Sequence, residues 1–338
     1  MNHDERLQAL RAWATTLVDL DLRIETLRPA SSDASFRRYF RIDRQGSGSI
    51  ILMDAPPARE SISPFLHAAE VARDAGVRVP QVFASDIAAG WMALEDLGST
   101  TFLQALNQAN APALYQAAWD SLLPWQCATR PDVFPSYDTH RLRQEVDLLR
   151  PWYFERHCGA TLRADEQQVL EQASALIVER CVHQPQVYVH RDFHSRNLMV
   201  LPGNQGLGVL DFQDAVIGPI TYDPVSLLRD AYVQWDEAQQ IDWLIRYWEQ
   251  ARAKGLPVNA DFGEFYRDFE WMGLQRHLKV LGIFARLHYR DAKEHYLNDI
   301  PVVLDYTMKV LQRYNELGPL RVVFERVLGT RPEVGYTF

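Results

Sequence analysis

Lysine is almost missing from this chain. Of 338 residues only Lys254, Lys279, Lys293 and Lys309 are lysine, so none precedes residue 254. A cation needed earlier must come from arginine, histidine or backbone N–H groups, and a P-loop of the G-x-x-x-x-G-K-[ST] type is excluded. Cysteine is also scarce. Cys127, Cys158 and Cys181 are widely spaced and form no C-x-x-C, which argues against a disulfide framework or a zinc site and for buried structural thiols. No apolar run approaches a membrane span, and Met1–Arg6 lacks the basic-then-apolar pattern of a secretory signal. A cytoplasmic protein with no membrane partner is expected. The formal net charge of −9 argues against nucleic acid as a main partner.

What is present is ordinary globular material, 47% hydrophobic and 23% charged, and 338 residues are enough for two lobes. Leu7, Leu10, Trp13 and Leu17 recur at helical spacing over residues 4–18. Leu22–Leu27, Phe36–Ile42, Ile50–Met53, Val79–Ala84 and Trp91–Leu94 alternate as short strands, with Gly46-Ser47-Gly48 as a hairpin turn. One helix is inserted after Ser63-Pro64, with Ser63 as its cap. Beyond Gly98 the periodicity turns helical: 101–109, 111–128, 139–157, 165–183, 223–233, 236–253, 261–289 and 297–316. Residues 187–212 interrupt it with two short β-like runs. The expected fold class is α+β, a bilobal protein-kinase-like fold, with an antiparallel small lobe over 1–97 and a mostly helical lobe over 98–338.

The most specific pattern is His190-Arg191-Asp192-Phe193-His194-Ser195-Arg196-Asn197, followed by Leu210-Asp211-Phe212-Gln213-Asp214. Asn197 lies five positions after Asp192, as in H-R-D-x-x-x-x-N, and Asp211 opens a D-F-Q in place of D-F-G. Phosphoryl transfer needs one carboxylate at the acceptor hydroxyl and two oxygen ligands for Mg²⁺ at the triphosphate of ATP. Asp192 fits the first role; Asn197 and Asp211 fit the second, since hard Mg²⁺ favours oxygen donors. His190 and Arg191 read as braces of the loop, and Asp214 as a further brace.

At these residues the chain resembles the aminoglycoside phosphotransferase and choline kinase superfamily. Asp211–Ala215 through Gly218-Pro219 to Tyr222–Leu228 is similar to that family's metal loop and following helix, and no A-P-E segment of a protein kinase is present. Ser35–Arg41 with Met53-Asp54-Ala55-Pro56-Pro57 resembles, more narrowly, the bacterial anomeric kinases of cell-wall recycling, which phosphorylate N-acetylmuramate and N-acetylglucosamine. The resemblance implies that Glu95-Asp96-Leu97 is the hinge that reads adenine through its backbone. It also implies a third-strand lysine, but that place falls at Met53. Glu70 would then be an orphaned clamp glutamate.

Something else must hold the nucleotide phosphates. The turn Ser32-Asp33-Ala34-Ser35-Phe36 offers backbone N–H groups, and Arg37, Arg38 and Arg41 follow it. Arginine binds phosphate as a fork, and Arg37 or Arg38 is expected to replace the lysine. For the acceptor, His194, Glu145, Trp152 and Arg143 are candidates. Glu145 and Trp152 are seven apart and share a helical face only if Pro151 leaves the helix unbroken. The expected activity is an ATP- and Mg²⁺-dependent amino-sugar kinase, a monomer or weak oligomer acting on a small sugar. A small-alcohol or aminoglycoside phosphotransferase and a nucleotide-binding pseudokinase are the rival readings.

Overall fold

In the computed structural model, which describes residues 3–31 and 37–330, the chain forms two compact units. The first is 1–105 with 197–214; the second is 106–196 with 215–338. The sequence reading drew a single boundary after residue 97. Residues 98–105 and the returning 197–214 group with the first unit because backbone and core both hold them there. Val200 N donates to Thr100 O (2.9 Å) and Val209 N to Arg78 O (2.8 Å). Leu97, Met199 and Leu201 share one buried cluster. Among the described residues no helix is long and apolar enough to cross a membrane.

The first unit begins with helix α1 (His3–Thr16). Strands β1 (Arg28–Ser31), β2 (Arg38–Asp43) and β3 (Ser49–Asp54) follow. Helix α2 (Ser63–Asp74) then leads to β4 (Val82–Asp86) and β5 (Trp91–Glu95). The strands pair antiparallel in the order β1-β2-β3-β5-β4. Alternation puts Phe40, Ile42, Ile50 and Leu52 on one face, where they pack with Leu10 and Ala14 of α1. Gly46 (φ 101°) and Gly48 (φ 85°) turn the β2–β3 hairpin.

Two local expectations differ. Residues 22–27 are not a strand: Ile24–Thr26 is a 3₁₀ turn, closed by Thr26 N on Arg23 O and Leu27 N on Ile24 O. Leu22 keeps only an isolated bridge to Arg44, and the strand starts at Arg28, on the sheet edge where Pro29 costs no ladder bond. At α2 the cap position is Ile62, with Ser63 and Pro64 already in the first turn.

Short α3 (Phe102–Ala105) closes this part of the first unit. The second unit then runs through α4 (Ala111–Cys127), α5 (Thr139–Val146) and α6 (Ala164–Val182). Strand β6 (Gln186–Val189) follows; hairpin β7 (Leu198–Val200) and β8 (Leu207–Val209) belongs to the first unit; β9 (Val216–Pro219) returns to pair with β6. Helices α7 (Tyr222–Leu228), α8 (Glu237–Ala253), α9 (Phe262–Asp291), α10 (Ile300–Arg313) and α11 (Gly318–Val327) complete it. The 30-residue α9 is the core element, with 269–282 buried without a break.

The helix expected over 139–157 divides at residue 147. Leu149–His157 continues as a π-helical stretch around Pro151, whose ring nitrogen has no hydrogen to donate. Gly282 of α9 lets this bend approach, since a Cβ there would lie 2.6 Å from the Leu148 backbone. Helix α7 ends before the expected residue 233. There Asp230 takes the Tyr232 N–H into its side chain (3.2 Å). Trp243, Tyr247, Phe265, Phe269 and Trp271 are buried aromatics of α8 and α9. Of the three thiols only Cys181 is buried; Cys127 is exposed and Cys158 half-buried.

Candidate active site

In the second unit β6 delivers the loop that starts at His190. Asp223, fully buried on α7, accepts His190 N (2.7 Å) on one oxygen and Arg191 N (3.0 Å) on the other. These two bonds hold Arg191 at φ 76°, a left-handed backbone that a non-glycine residue adopts only under constraint. Asp192 N donates to His190 Nδ1 (3.2 Å), and His194 N to Asp192 O (2.9 Å). Ser195 N donates to the buried Asp230 (2.9 Å). The expected bracing roles of His190 and Arg191 thus have a visible anchor in Asp223.

Glu145 stands behind the same loop. Its carboxylate takes Arg191 Nη2 (2.8 Å), Lys279 Nζ (2.9 Å) and the Tyr137 hydroxyl. Lys279 also donates to the Tyr222 hydroxyl (3.0 Å). Glu145, considered for the acceptor, is therefore spent on the loop. Trp152 is half-buried in the π-helical stretch and shares no helix with Glu145. Arg143 ion-pairs with Asp147 (2.7 Å) and Glu171 at the surface. Arg229 pairs with Glu270 (2.9 Å) and Arg141 is exposed. His194 remains near Asp192, its ring edge-on to Tyr232 (5.4 Å) and its buried Nδ1 without a hydrogen bond.

The field around Asp192 is positive. Burial alone would raise its carboxyl; Lys279, His194, Arg191 and Arg276 outweigh it and hold the group below the usual range. Asp223 goes the other way. Burial pushes it up to about 7, against the pull of its two backbone N–H donors.

In the first unit Asn197 and Asp211 flank the β7–β8 hairpin, which brings them together. Leu210 N donates to Asn197 O (2.9 Å), and Asn197 Nδ2 lies 3.4 Å from Asp211 Oδ2. Asp211 sits at φ 63° and accepts Gln213 Nε2 (2.7 Å). Phe212 anchors the turn against Phe65 of α2, with ring centroids 4.7 Å apart. The Asn197 amide and the Asp211 carboxylate stand side by side, and with the amide oxygen turned to a metal they would form a donor set that suits Mg²⁺ rather than zinc.

The arginines that follow residue 36 separate into two kinds. Arg38 is tied to the fully buried Asp54, which also takes Arg6 and Trp91 Nε1 (3.1 Å). Arg41 is tied to Asp96 (2.5 and 2.9 Å). Arg37 is buried, paired with Glu60, and its Nη1 lies 3.7 Å from Asp211 Oδ1. Met53, at the lysine's expected place, is fully buried, and Glu70 is exposed. Along 95–97, Glu95 pairs with Arg78 (2.6 Å), Asp96 accepts Gly98 N (2.9 Å) and Leu97 is buried. Ser32, Asp33, Ala34, Ser35 and Phe36 lie outside the described residues.

Sequence reasoning assigned no role to Asp223, Asp230, Lys279 or Glu60. Lys279 left a signal: Gln275-Arg276-His277 and Lys279 interrupt the otherwise apolar run 271–285 of the helix, a placement that demands buried partners.

Residues 26–258 match the family model described as the phosphotransferase enzyme family. A relative from Neisseria meningitidis serogroup B, named N-acetylmuramate/N-acetylglucosamine kinase, is 44% identical, covering 99% of this chain and 100% of its own. A Pseudomonas putida protein of the same name is also 44% identical, over 97% of this chain and 99% of its own. Among solved structures, a choline kinase from Streptococcus pneumoniae superposes with TM-score 0.65 at 12% identity, covering 91% of this chain and all of its own. A choline/ethanolamine kinase family protein from Mesorhizobium loti gives 0.63 at 15% identity, over 94% and 99%. The fold is therefore α+β and protein-kinase-like. With a family match across most of its length and full-length relatives at this identity, the chain belongs to the phosphotransferase enzyme family.

Proposed function

We propose that this protein transfers the γ-phosphoryl group of ATP to the anomeric hydroxyl of N-acetylmuramate and N-acetylglucosamine, giving the sugar 1-phosphate and ADP. The carrying observation is the pairing of Asn197 and Asp211 at 3.4 Å on a strained turn, in a chain whose full-length relatives are named for these two sugars. Asp192 receives the acceptor. Its carboxylate aligns the hydroxyl and takes the proton as the new O–P bond forms and the β–γ bridge breaks toward ADP. An anomeric hydroxyl is more acidic than an ordinary alcohol, so a carboxylate held low by surrounding cations is a sufficient base. Magnesium, held by Asn197 and Asp211, would neutralise charge on the phosphate oxygens. Arg37 takes the place of the absent lysine, with Glu60 holding its guanidinium. Glu95, Asp96 and Leu97 form the adenine-side hinge, and residues 32–36 contribute backbone N–H groups to the phosphates. A cytoplasmic enzyme acting on a small sugar fits a reaction that consumes ATP.

Incubation with ATP, Mg²⁺ and a panel of amino sugars, simple alcohols and aminoglycosides tests the reading. Phosphorus NMR should place the new phosphate on the anomeric carbon of both N-acetylated sugars. Turnover of the antibiotics alone, or of no acceptor at all, would remove it. Asp192→Asn should lower kcat by about 10²–10⁴-fold while leaving ATP affinity unchanged.

A further inference from the structure

Arg276 lies on α9 with 5% of its surface exposed. A guanidinium cannot shed its proton, so burying one without a partner carries a large cost. Arg229 of α7's C-terminus is equally buried and has its carboxylate, Glu270, at 2.9 Å. Arg276 has none: among the described residues no hydrogen bond or ion pair reaches it, and its buried Nε is unpartnered. The charged groups that face it are Asp192 and Asp230, with the hydroxyls of Tyr222 and Tyr232. Asp230 is already committed, one oxygen to Ser195 N and the other to Tyr232 N. His194 faces the same Tyr232 with its own buried Nδ1 unpartnered. The buried Nε of Arg276 on α9 and Nδ1 of His194 on the loop thus both act on Asp192 from separate elements without a hydrogen bond, and the first belongs to a permanent cation. Such a vacancy fits a negatively charged group that arrives with the substrate.

Of the two sugars, only N-acetylmuramate brings a fixed anion, the carboxylate of its lactyl ether. That ether and the anomeric hydroxyl sit on ring carbons 3 and 1. The carboxylate can therefore reach a cation beyond contact of Asp192 yet within its field. We propose that Arg276 is the specificity-determining residue for the acid sugar, binding the lactyl carboxylate through its guanidinium fork while the anomeric hydroxyl lies at Asp192. The proposal rests on the sugar-kinase reading above. N-acetylglucosamine presents a hydroxyl at the same ring position and makes the weaker, uncharged contact.

The test uses the full chain, ATP and Mg²⁺, with wild type and Arg276→Gln assayed on both sugars and wild type also on the methyl ester of N-acetylmuramate. Losing one charge-assisted fork should lower kcat/KM for N-acetylmuramate by about 10–100-fold, mainly through KM. The value for N-acetylglucosamine should change by less than about threefold, the residual expected for a neutral contact. Wild type should treat the ester as it treats N-acetylglucosamine; this arm needs no mutation and stands even if the variant folds poorly. Equal loss of kcat on both sugars would assign Arg276 to the transferred phosphate or to Asp192, and overturns the proposal. So does a wild type that accepts the ester as well as the acid. A wild type inactive on both sugars would instead overturn the parent reading, and this inference with it.

Discussion

In the first unit, Asp54 is buried between Arg6 and Arg38, Asp96 holds Arg41, and Glu60 holds Arg37. Each is a carboxylate met by arginines from α1 or from the segment 37–41. In the second unit, Glu145 gathers a lysine, an arginine and a tyrosine, and the lysine passes on to Tyr222. In the first arrangement the carboxylates Asp54, Asp96 and Glu60 stand apart, each meeting its own one or two arginines. The second is a network in which every member serves several others, and its product is the posture of a single loop. The chain thus keeps one of its few lysines for the place where a flexible point charge can reach both an anion and a hydroxyl.

This contrast can be broken. Glu145→Gln leaves Lys279 and Arg191 buried without their anion, so unfolding free energy should fall by about 3–5 kcal/mol. A denaturant midpoint that stays at the wild-type value would show that the network is ornamental. The arginines of the first unit should separate by role. Arg37→Ala should raise KM for ATP by about 10–100-fold, the worth of a charge-assisted phosphate contact. Arg38→Ala should leave that KM near wild type and cost about 1–3 kcal/mol of stability, because Asp54 keeps only Arg6 and Trp91. Equal KM effects from both would erase the distinction.

The smallest effect sharpens the comparison through pH. Asp223 is raised from its ordinary carboxylate value to about 7. A raised carboxyl binds its proton more tightly in the folded state, so its stabilising contribution is complete below about pH 4 and is lost as pH climbs to 7. Loop function needs the ionised form, since a proton on either oxygen weakens an acceptor of His190 N or Arg191 N. From pH 5 to 7, Tm should therefore decline while kcat rises. In Asp223→Asn the local slope of Tm should vanish; a slope unchanged from wild type would discharge Asp223 from this role.

What could be read from sequence was whatever is encoded by short spacing. Asp192 and Asn197 share one loop, and Asp211 follows a hairpin whose glycine and apolar runs announce it. The five-stranded sheet was legible for the same reason, apart from the stretch 22–27. There apolar alternation at Leu22 and Ile24 imitates a strand although turn bonds at Arg23 and Ile24 win. Pro151 signalled doubt about the 139–157 helix, and the break occurs just ahead of it. What was not legible came from distance: Glu145 and Lys279 are 134 residues apart, and nothing local marks them as partners. A glutamate near an expected pocket therefore read as a substrate contact until its oxygens were seen to be occupied. Asp223 stood inside the quoted family block, but its grip on two N–H groups of another segment is a tertiary fact.

The buried lysine has a practical consequence. Lys254 and Lys309 are exposed and Lys293 is half-buried, whereas Lys279 is 8% exposed. Amine-directed acylation of the native chain should therefore mark the other three first and Lys279 only when its surroundings breathe. With four amines on side chains in all, a peptide map can follow that late modification as a clock for local opening, with no engineered label.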